Sequence, residues 1–374
     1  MADYKRLGDY IREVNVRNRD LEVTNLLGVS ISKEFMPSIA NTIGTDMSAY
    51  KIVEQKQFAY GPVTSRNGDK ISIALLANYE NAIISQAYTV FEIADHTRLL
   101  PEYLMMWFCR PEFDRYARFH SHGSARETFD WEEMCNVMLP IPSIDRQREI
   151  VAEYETLPRR IRLNEQMIQK LEPTAQSLYH KMFVDDIDKE NLPKGWRMGT
   201  LSGIANIIMG QSPDGETYNL KEKGTIFYQG RTDFRKRFPT ARVYTTSPTR
   251  YANKGDILLS VRAPGGDLNI AIHDCYLGRG LASLRSIMDC QSYLYYQLQN
   301  LSDILNVSDD EGTIFGSINK DDLFNIDVVI PTKNKVYEFE CQASLIDKEI
   351  RLKDREIKIL EDLQYLFLEK VSNI

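Results

Sequence analysis

Basic side chains are concentrated in one stretch of this 374-residue sequence, between residues 229 and 262. Arginine and lysine neutralise phosphate groups, so a local excess of them favours binding of a polyanion, although the whole chain has a formal charge of −7. The same excess is also typical of an ordinary solvated surface. Against two aspartates, Asp233 and Asp256, the stretch holds eight bases: Arg231, Arg235, Lys236, Arg237, Arg242, Arg250, Lys254 and Arg262.

Two arginines stand beside glycine-containing turns. Arg66 precedes Asn67-Gly68, and Arg262 precedes Ala263-Pro264-Gly265. Glycine and proline at these positions predict turns, and an arginine beside a turn is typical of contacts to phosphates or base edges. Because Ser65-Arg66 and Val261-Arg262 stand at similar places in the two halves of the chain, we expect the two arginines to be equivalent.

Motifs for catalysis are missing from the sequence. It contains no GxxxxGK[ST] phosphate loop, no GxGxxG after a strand, no HExxH and no GxSxG. His120 and His122 have no third metal ligand nearby in sequence, and Asp46 followed by Glu54-Gln55-Lys56 is only a loose outline of a nuclease site. We therefore predict a non-catalytic binding protein without a metal or cofactor of its own. The alternatives are a coiled-coil scaffold without a DNA role and a standalone nuclease or methyltransferase with duplicated recognition domains.

The chain repeats itself at a constant offset of 189 residues. Residues 123–183 align without a gap with residues 312–372, and twelve of these 61 positions are identical. Pro142 with Pro331 and Leu171 with Leu360 are examples. A repeat of this length predicts a tandem duplication, in which each half is a domain with an appendage.

The appendage in each copy has the pattern of a coiled-coil helix. Apolar residues recur with 4,3,4,3 spacing over residues 150–182 and again over 339–371. A 3.5-residue period sustained over four heptads is typical of a coiled-coil seam. Asn164 is a polar residue in the first seam. Because proline removes a backbone donor, Pro158 and Pro173 should kink or restart the first helix.

These elements predict an α+β protein: two β-rich mixed domains joined by two long helices that form an antiparallel coiled coil with pseudo-two-fold symmetry. Strand patterns include residues 256–261 and 327–330. Five widely spaced cysteines and the lack of a long apolar run favour a cytoplasmic protein. The expected boundaries are 1–142 for the first domain, 143–183 for the first helix, 184–193 for a linker, 194–331 for the second domain and 332–374 for the second helix.

Several motifs resemble one known family. Leu139-Pro140-Ile141-Pro142 leads into Gln147-Arg148-Glu149-Ile150, the heptad helix follows, and Leu192-Pro193-Lys194-Gly195-Trp196 opens the second domain. In this order the motifs closely resemble the DNA-specificity (S) subunit, HsdS, of type I restriction–modification systems. The second copy departs from the pattern, since Val336 stands where the first copy has Gln147.

The resemblance implies a non-catalytic subunit with two target recognition domains, each of which reads one half of a bipartite sequence in double-stranded DNA. The helices would act as a ruler between the half-sites. Implied partners are two modification (M) subunits, which bind S-adenosylmethionine, and restriction (R) subunits, which use ATP and Mg. No membrane is implied.

Basic or amide side chains near predicted turns are the candidate DNA contacts. In the first half these are Arg66, Asn67, Lys70, Ser124 and Arg126, and in the second half Gln229, Arg231, Arg235, Lys236, Arg262, Arg279 and Thr313.

Apolar residues of the two helix patterns are the candidates for the coiled-coil and partner interface. They are Ile150, Leu157, Ile161, Leu163, Ile168, Leu171, Leu178, Ile346, Ile350, Leu352, Ile357, Leu360 and Phe367.

Overall fold

The structure is a computed structural model that describes residues 4–38, 44–65, 67–123, 126–262, 265–305 and 317–371. The chain divides into two compact units. Unit 1 consists of Met1–Asn164 together with Arg355–Ile374, and unit 2 consists of Glu165–Asp354. Helices and sheets occur in both units, so the predicted α+β class is confirmed.

Unit 1 is built on small antiparallel sheets. Its described residues form β1 (Tyr4–Arg6), β2 (Ile11–Val14), β3 (Leu27–Val29), β4 (Phe35–Pro37), β5 (Lys51–Glu54), β6 (Phe58–Tyr60), β7 (Ile73–Leu75), β8 (Asn81–Ile84), β9 (Thr89–Ile93), α1 (Pro101–Phe108), α2 (Pro111–Phe119), α3 (Trp131–Cys135), β10 (Met138–Pro140) and α4 (Ile144–Phe183), which continues into unit 2. The central sheet has the order β2-β9-β6-β7, and further pairs are β1-β10, β3-β4 and β5-β8.

Unit 2 has a larger second sheet. Its described residues form β11 (Arg197–Thr200), β12 (Ala205–Met209), β13 (Tyr218–Asn219), β14 (Thr225–Tyr228), β15 (Tyr244–Thr245), β16 (Tyr251–Ala252), β17 (Ile257–Ser260), β18 (Leu268–Ile270), β19 (Cys275–Leu277), β20 (Leu281–Ser286), α5 (Gln291–Asn300), α6 (Ser302–Leu305), α7 (Lys320–Phe324), β21 (Asp327–Ile330) and α8 (Lys333–Val371), which continues into unit 1. The sheets have the orders β12-β20-β17-β18 and β13-β15-β14-β19-β16, and β11 pairs with β21.

The central sheet has the same topology in both units. In each, the first strand pairs with the last, the last with a middle strand, and the middle strand with a short edge strand, all antiparallel. The backbone N–H of Leu7 donates to the carbonyl of Val137, and that of Leu201 donates to the carbonyl of Ile326, 189 residues beyond Val137. The internal repeat is therefore a repeat of structure.

In unit 1 the segments of α4 and α8 run antiparallel. Tyr154 lies 5.8 Å from Phe367 between ring centroids, whereas Arg160, further along α4, donates to Glu356, earlier in α8, at 2.7 Å. Ile150 and Val371 are buried in the same apolar core as α1. The core of unit 1 thus includes both long helices.

In unit 2 the two helix segments are also antiparallel. Tyr179 lies 5.7 Å from Phe339 and Phe183 lies 5.5 Å from it, between ring centroids. Ala175 and Ala343 are fully buried in the same core, where small residues allow close approach. Because aromatic side chains bury large apolar areas, this cluster is a main source of stability for unit 2.

The predicted seam positions of both helices are buried or half-buried throughout. Two residues of the expected interface are exceptions, because Leu163 and Leu352 have 49% and 51% of their surface exposed. Both lie outside the 4,3 spacing, two residues after Ile161 and Ile350, and the prediction that they hold the helices together is wrong.

Helix α4 continues without interruption through Pro158 and Pro173, so the predicted restart does not occur. A proline removes one hydrogen bond, and seam residues on both sides keep the helix packed against α8. Tertiary packing here outweighs the local preference.

Candidate nucleic-acid interface

In unit 1 two loops come together where the chain leaves β6. The first follows Tyr60, and the second connects α2 to α3. Thr64 donates its backbone N–H to the carbonyl of Glu127 at 3.0 Å and its hydroxyl to Ser121 at 2.9 Å, and Phe129 N–H donates to the carbonyl of Pro62 at 2.8 Å. These bonds fix the two loops as one surface.

The predicted DNA contacts of unit 1 lie on these loops. Lys70 and Arg126 are exposed, whereas Asn67 is half-buried and donates its side-chain amide to the carbonyl of Val63 at 3.3 Å. Asn67 therefore also shapes the turn. Arg66 and Ser124 lie outside the described residues.

The end of α2 adds other groups to this surface. Arg118 forms an ion pair with Glu127 at 2.6 Å, and His120 Nδ1 lies 3.1 Å from Glu133. Phe119, the last residue of α2, has 81% of its surface exposed. In the described part of the chain, no group of three or more His, Cys, Asp or Glu side chains could hold a metal ion.

In unit 2 the corresponding surface lies where β14, β17 and β20 meet. Gly278 N–H donates to the carbonyl of Tyr228 at 2.7 Å, and Val261 N–H donates to the carbonyl of Gly280 at 2.9 Å. These bonds bring Gln229, Arg262 and Arg279 to one region, and all three are exposed. A side chain at Gly280 would place its Cβ 2.9 Å from the carbonyl oxygen of Gln229, so the close approach of the strands requires glycine.

The basic loop after β14, residues 229–242, is organised by a buried carboxylate. Asp233 is 2% exposed, and it accepts hydrogen bonds from the backbone N–H groups of Gln229 at 2.7 Å and Gly230 at 3.4 Å. Arg242 donates to its other oxygen at 2.7 Å through Nη2 and 3.1 Å through Nε. A buried charge needs such partners, so Asp233 fixes the shape of the loop.

Three predicted contacts from this loop line one cavity of about 600 Å³. Arg231, Arg235 and Lys236 are exposed on its walls, and Asn269 and Gln299 are polar neighbours. The cavity has the charge and the polar groups to accept part of an anionic chain. Thr313 lies outside the described residues.

Half-buried and buried ion pairs reduce the charge that the basic stretch presents. Arg231 pairs with Asp267, Arg237 with Asp347 and Arg242 with Asp233. Counting bases in the sequence therefore overstates the positive charge of this surface.

The expected equivalence of Arg66 and Arg262 is wrong. Phe129 N–H donates to the carbonyl of Pro62, and Ile318 N–H, 189 residues beyond Phe129, donates to the carbonyl of Val261. Pro62 is thus equivalent to Val261, and Val63 to Arg262. Loops of different length follow, so sequence spacing alone misplaces the match.

Sequence reasoning also missed polar residues of the long helices that attach them to the domains. Glu340 on α8 accepts hydrogen bonds from the N–H groups of Ser292 at 3.2 Å and Tyr293 at 2.9 Å, at the start of α5. Burial raises the pKa of Glu340, and the hydrogen bonds from Tyr293 and Ser292 oppose that rise. Gln147 caps α1 in the same way. The only signal in the sequence was a polar residue beside a seam position.

The outer face of α8 carries a second candidate surface. Its exposed apolar residues follow seven-residue spacing with one addition, on the side away from the seam. They are Leu345, Leu352, Ile359, Leu363 and Leu366. Exposed apolar rows of this kind mark sites of protein association. No helix among the described residues is long and apolar enough to cross a membrane.

Comparisons with known proteins agree on one family. Residues 193–368 match the model of the type I restriction modification DNA specificity domain. A protein of Methanocaldococcus jannaschii assigned as the type I restriction enzyme MjaX specificity subunit is 26% identical over 287 residues, which cover 73% of this chain and 65% of that protein. The type I restriction enzyme HindI specificity subunit of Haemophilus influenzae is 24% identical over 194 residues, 50% of this chain and 42% of that protein.

These matches span less than two thirds of the length of either relative. Among solved structures, the type I restriction-modification system S subunit from M. genitalium superposes with a TM-score of 0.64 at 14% identity, over 100% of this chain and 96% of that one. This likeness shows a common fold.

Proposed function

Because this chain belongs to the family of type I restriction–modification DNA specificity subunits, we propose that it is the non-catalytic DNA-recognition subunit of such a complex. Each unit contributes one recognition domain, and each domain reads one half of a bipartite target in double-stranded DNA. One observation carries the proposal: the same sheet presents exposed cations at the same strand end in both units, Lys70 with Arg126 and Arg262 with Arg279.

The electrostatics favour selective rather than indiscriminate binding. The chain has a formal charge of −7, so most of its surface repels the DNA backbone, and attraction is confined to local cationic surfaces. Duplex affinity should fall steeply with salt concentration, because each phosphate contact releases counterions.

The long helices serve two purposes in this proposal. Their seam sets the gap between the half-sites, and their outer faces dock two modification subunits, which bind S-adenosylmethionine. The exposed row that includes Leu352 and Leu363 supports docking, since apolar rows pack against partner helices. Restriction subunits that use ATP and Mg complete the complex, and this chain holds no cofactor.

The test is co-expression with a cognate modification subunit, followed by single-molecule sequencing of the host DNA. We expect a methylated motif of two short fixed halves around a constant gap. Lys70→Ala and Arg126→Ala should change the first half only, and Arg262→Ala and Arg279→Ala the second only. A lost base contact should cost about 1–3 kcal/mol at one position, whereas a lost phosphate contact weakens all sequences alike.

Two results would contradict the proposal. Unchanged methylation in all four variants would remove these cations from the interface. A stable complex with the modification subunit that neither methylates DNA nor binds a duplex in a salt-dependent way would favour the scaffold alternative.

The gap has its own test. One heptad inserted after Asn164 and one before Arg355 would keep the 4,3 seam and lengthen the helix pair by roughly 10 Å. We expect a gap about three base pairs longer with both half-sites unchanged. Altered half-site sequences would contradict the ruler.

A further inference from the structure

We propose that Arg237 is a positioning residue that fastens the basic loop of unit 2 to both long helices, and so sets where that loop meets its half-site. This inference rests on the proposed DNA-recognition function. Arg237 lies inside the basic loop defined above, directly after Lys236, yet its side chain points away from solvent and is only 3% exposed.

The guanidinium of Arg237 contacts three helices. It forms an ion pair with Asp347 of α8, and its Nη1 lies 3.9 Å from Glu172 of α4. It also stacks over the ring of Tyr295 of α5 at 4.3 Å, and Nη1 donates to the Tyr296 hydroxyl at 3.3 Å. Tyr296 in turn donates to Asp347 at 2.8 Å. One side chain of the loop is thus held by both long helices at once.

The backbone of the same residues is held by the sheet. The carbonyl of Arg237 accepts a hydrogen bond from Ile270 N–H of β18 at 2.9 Å, and Asn269 donates its amide to the carbonyl of Arg235 at 2.9 Å. Arg235 and Lys236 face the cavity, whereas Arg237 faces the helices. A shift of the helices against the sheet therefore acts directly on the two residues that precede Arg237.

The chemistry of this site requires arginine. A buried cation between two carboxylates and two tyrosine rings needs a planar group that stacks and forms several directed hydrogen bonds, which a lysine ammonium cannot reproduce. Burial raises the pKa of Glu172, and the charges of Arg237 and Lys236 oppose that rise. Removal of Arg237 would leave Asp347 and Glu172 half-buried without this partner.

The contact also predicts that a helix residue outside the interface affects DNA specificity. Asp347 lies on α8, and its link to the loop runs through Arg237. Asp347→Ala removes the helix side of the contact and leaves every residue of the basic loop unchanged. It should therefore reproduce the effect of Arg237→Met.

The experiment compares variants of the full chain in complex with modification subunits. Methylation is measured at the cognate motif and at sites with one wrong base in either half. For Arg237→Met and Asp347→Ala we expect methylation of sites with one wrong base in the half read by unit 2 to rise about tenfold relative to the cognate site, within the usual cost of one mismatch. Discrimination in the other half should stay at the wild-type level.

A matched control separates positioning from loss of stability. Tyr293→Phe removes a buried hydrogen bond to Gln297 at 2.9 Å in the same core, away from the basic loop. Arg237→Lys should relax discrimination less than Arg237→Met. If Tyr293→Phe relaxes the same half-site as much, or if both half-sites relax equally, Arg237 has no positioning role.

Failure of the inference differs from failure of the proposed function. If the wild-type complex gives a bipartite motif and both Arg237→Met and Asp347→Ala keep full discrimination, the inference is wrong and the function stands. If the wild-type complex gives no motif, the proposed function itself is wrong. If Arg237→Met does not fold, Asp347→Ala decides the outcome.

Discussion

Gln147 joins α4 to the start of α1, because its Oε1 accepts a hydrogen bond from the backbone N–H of Leu100 at 2.9 Å. Its amide donates to the carbonyls of Arg98 and Pro142, both at 2.9 Å. The side chain is fully buried, and all its polar atoms are satisfied. Gln147 therefore fixes the angle at which the long helix meets the domain.

Gln147→Ala should lower the free energy of unfolding by about 1–3 kcal/mol, because it leaves buried backbone groups without partners. Chemical unfolding followed by tryptophan fluorescence measures the change, since Trp107 and Trp131 lie in unit 1. Gln166→Ala, at an exposed position of the same helix, is the control. Equal stability of the two variants would show that the cap contributes little.

Glu340 should make the stability of unit 2 depend on pH. Burial raises its folded-state pKa above the ordinary 4.5, so the folded state binds more protons than the unfolded state just above that pH. Its contribution is therefore fully present below about pH 4.5 and is lost as the pH rises through the folded-state pKa. Glu340→Gln should flatten the fall in unfolding free energy over this range, and a slope equal to that of the wild type would contradict the assignment.

Asn164 lowers the stability of the seam. It is 2% exposed, and its Nδ2 has no hydrogen-bond partner within the described part of the chain. Asn164→Leu should raise the free energy of unfolding by about 1 kcal/mol, since an unsatisfied buried amide is replaced by an apolar group. Thermal unfolding measures this, with Leu163→Ala as an exposed neighbour for comparison. A less stable Asn164→Leu protein would indicate a partner for the amide.

Charged substitutions should separate the inner and outer faces of α8. Ile350→Lys buries an ammonium in the seam and should unfold the protein or cost more than about 3 kcal/mol. Leu352→Lys and Leu363→Lys change exposed positions and should leave the unfolding midpoint within about 0.5 kcal/mol. Both should weaken capture of the modification subunit in a pull-down assay, and undiminished capture would move the docking site elsewhere.

The repeat and the seam could be predicted from sequence because both are periodic signals along one helix. The 4,3 spacing places Ile161 inside and Leu163 outside without reference to any other element. The two prolines of α4 were misjudged, since local propensity does not include packing against α8.

The site depends on direction, which a sequence does not record. Lys236 and Arg237 are neighbouring cations, yet one faces the cavity and the other the helices. The replacement of Gln147 by Val336 in the second copy looked like the loss of a motif. Glu340, one turn further along α8, caps the equivalent helix instead. Only the three-dimensional arrangement shows that the task is conserved while the position moves.

The division of the chain has a consequence for synthesis on the ribosome. The core of unit 1 includes Leu368 and Val371, which are translated after the whole of unit 2. Unit 1 must therefore wait, partly open, while about 190 residues emerge behind it, and it closes only when the second strand of its helix pair is delivered. The domain that is made first is completed last, so a ribosome that stalls within α8 releases a chain with an exposed apolar face on unit 1, a natural substrate for chaperones and proteases.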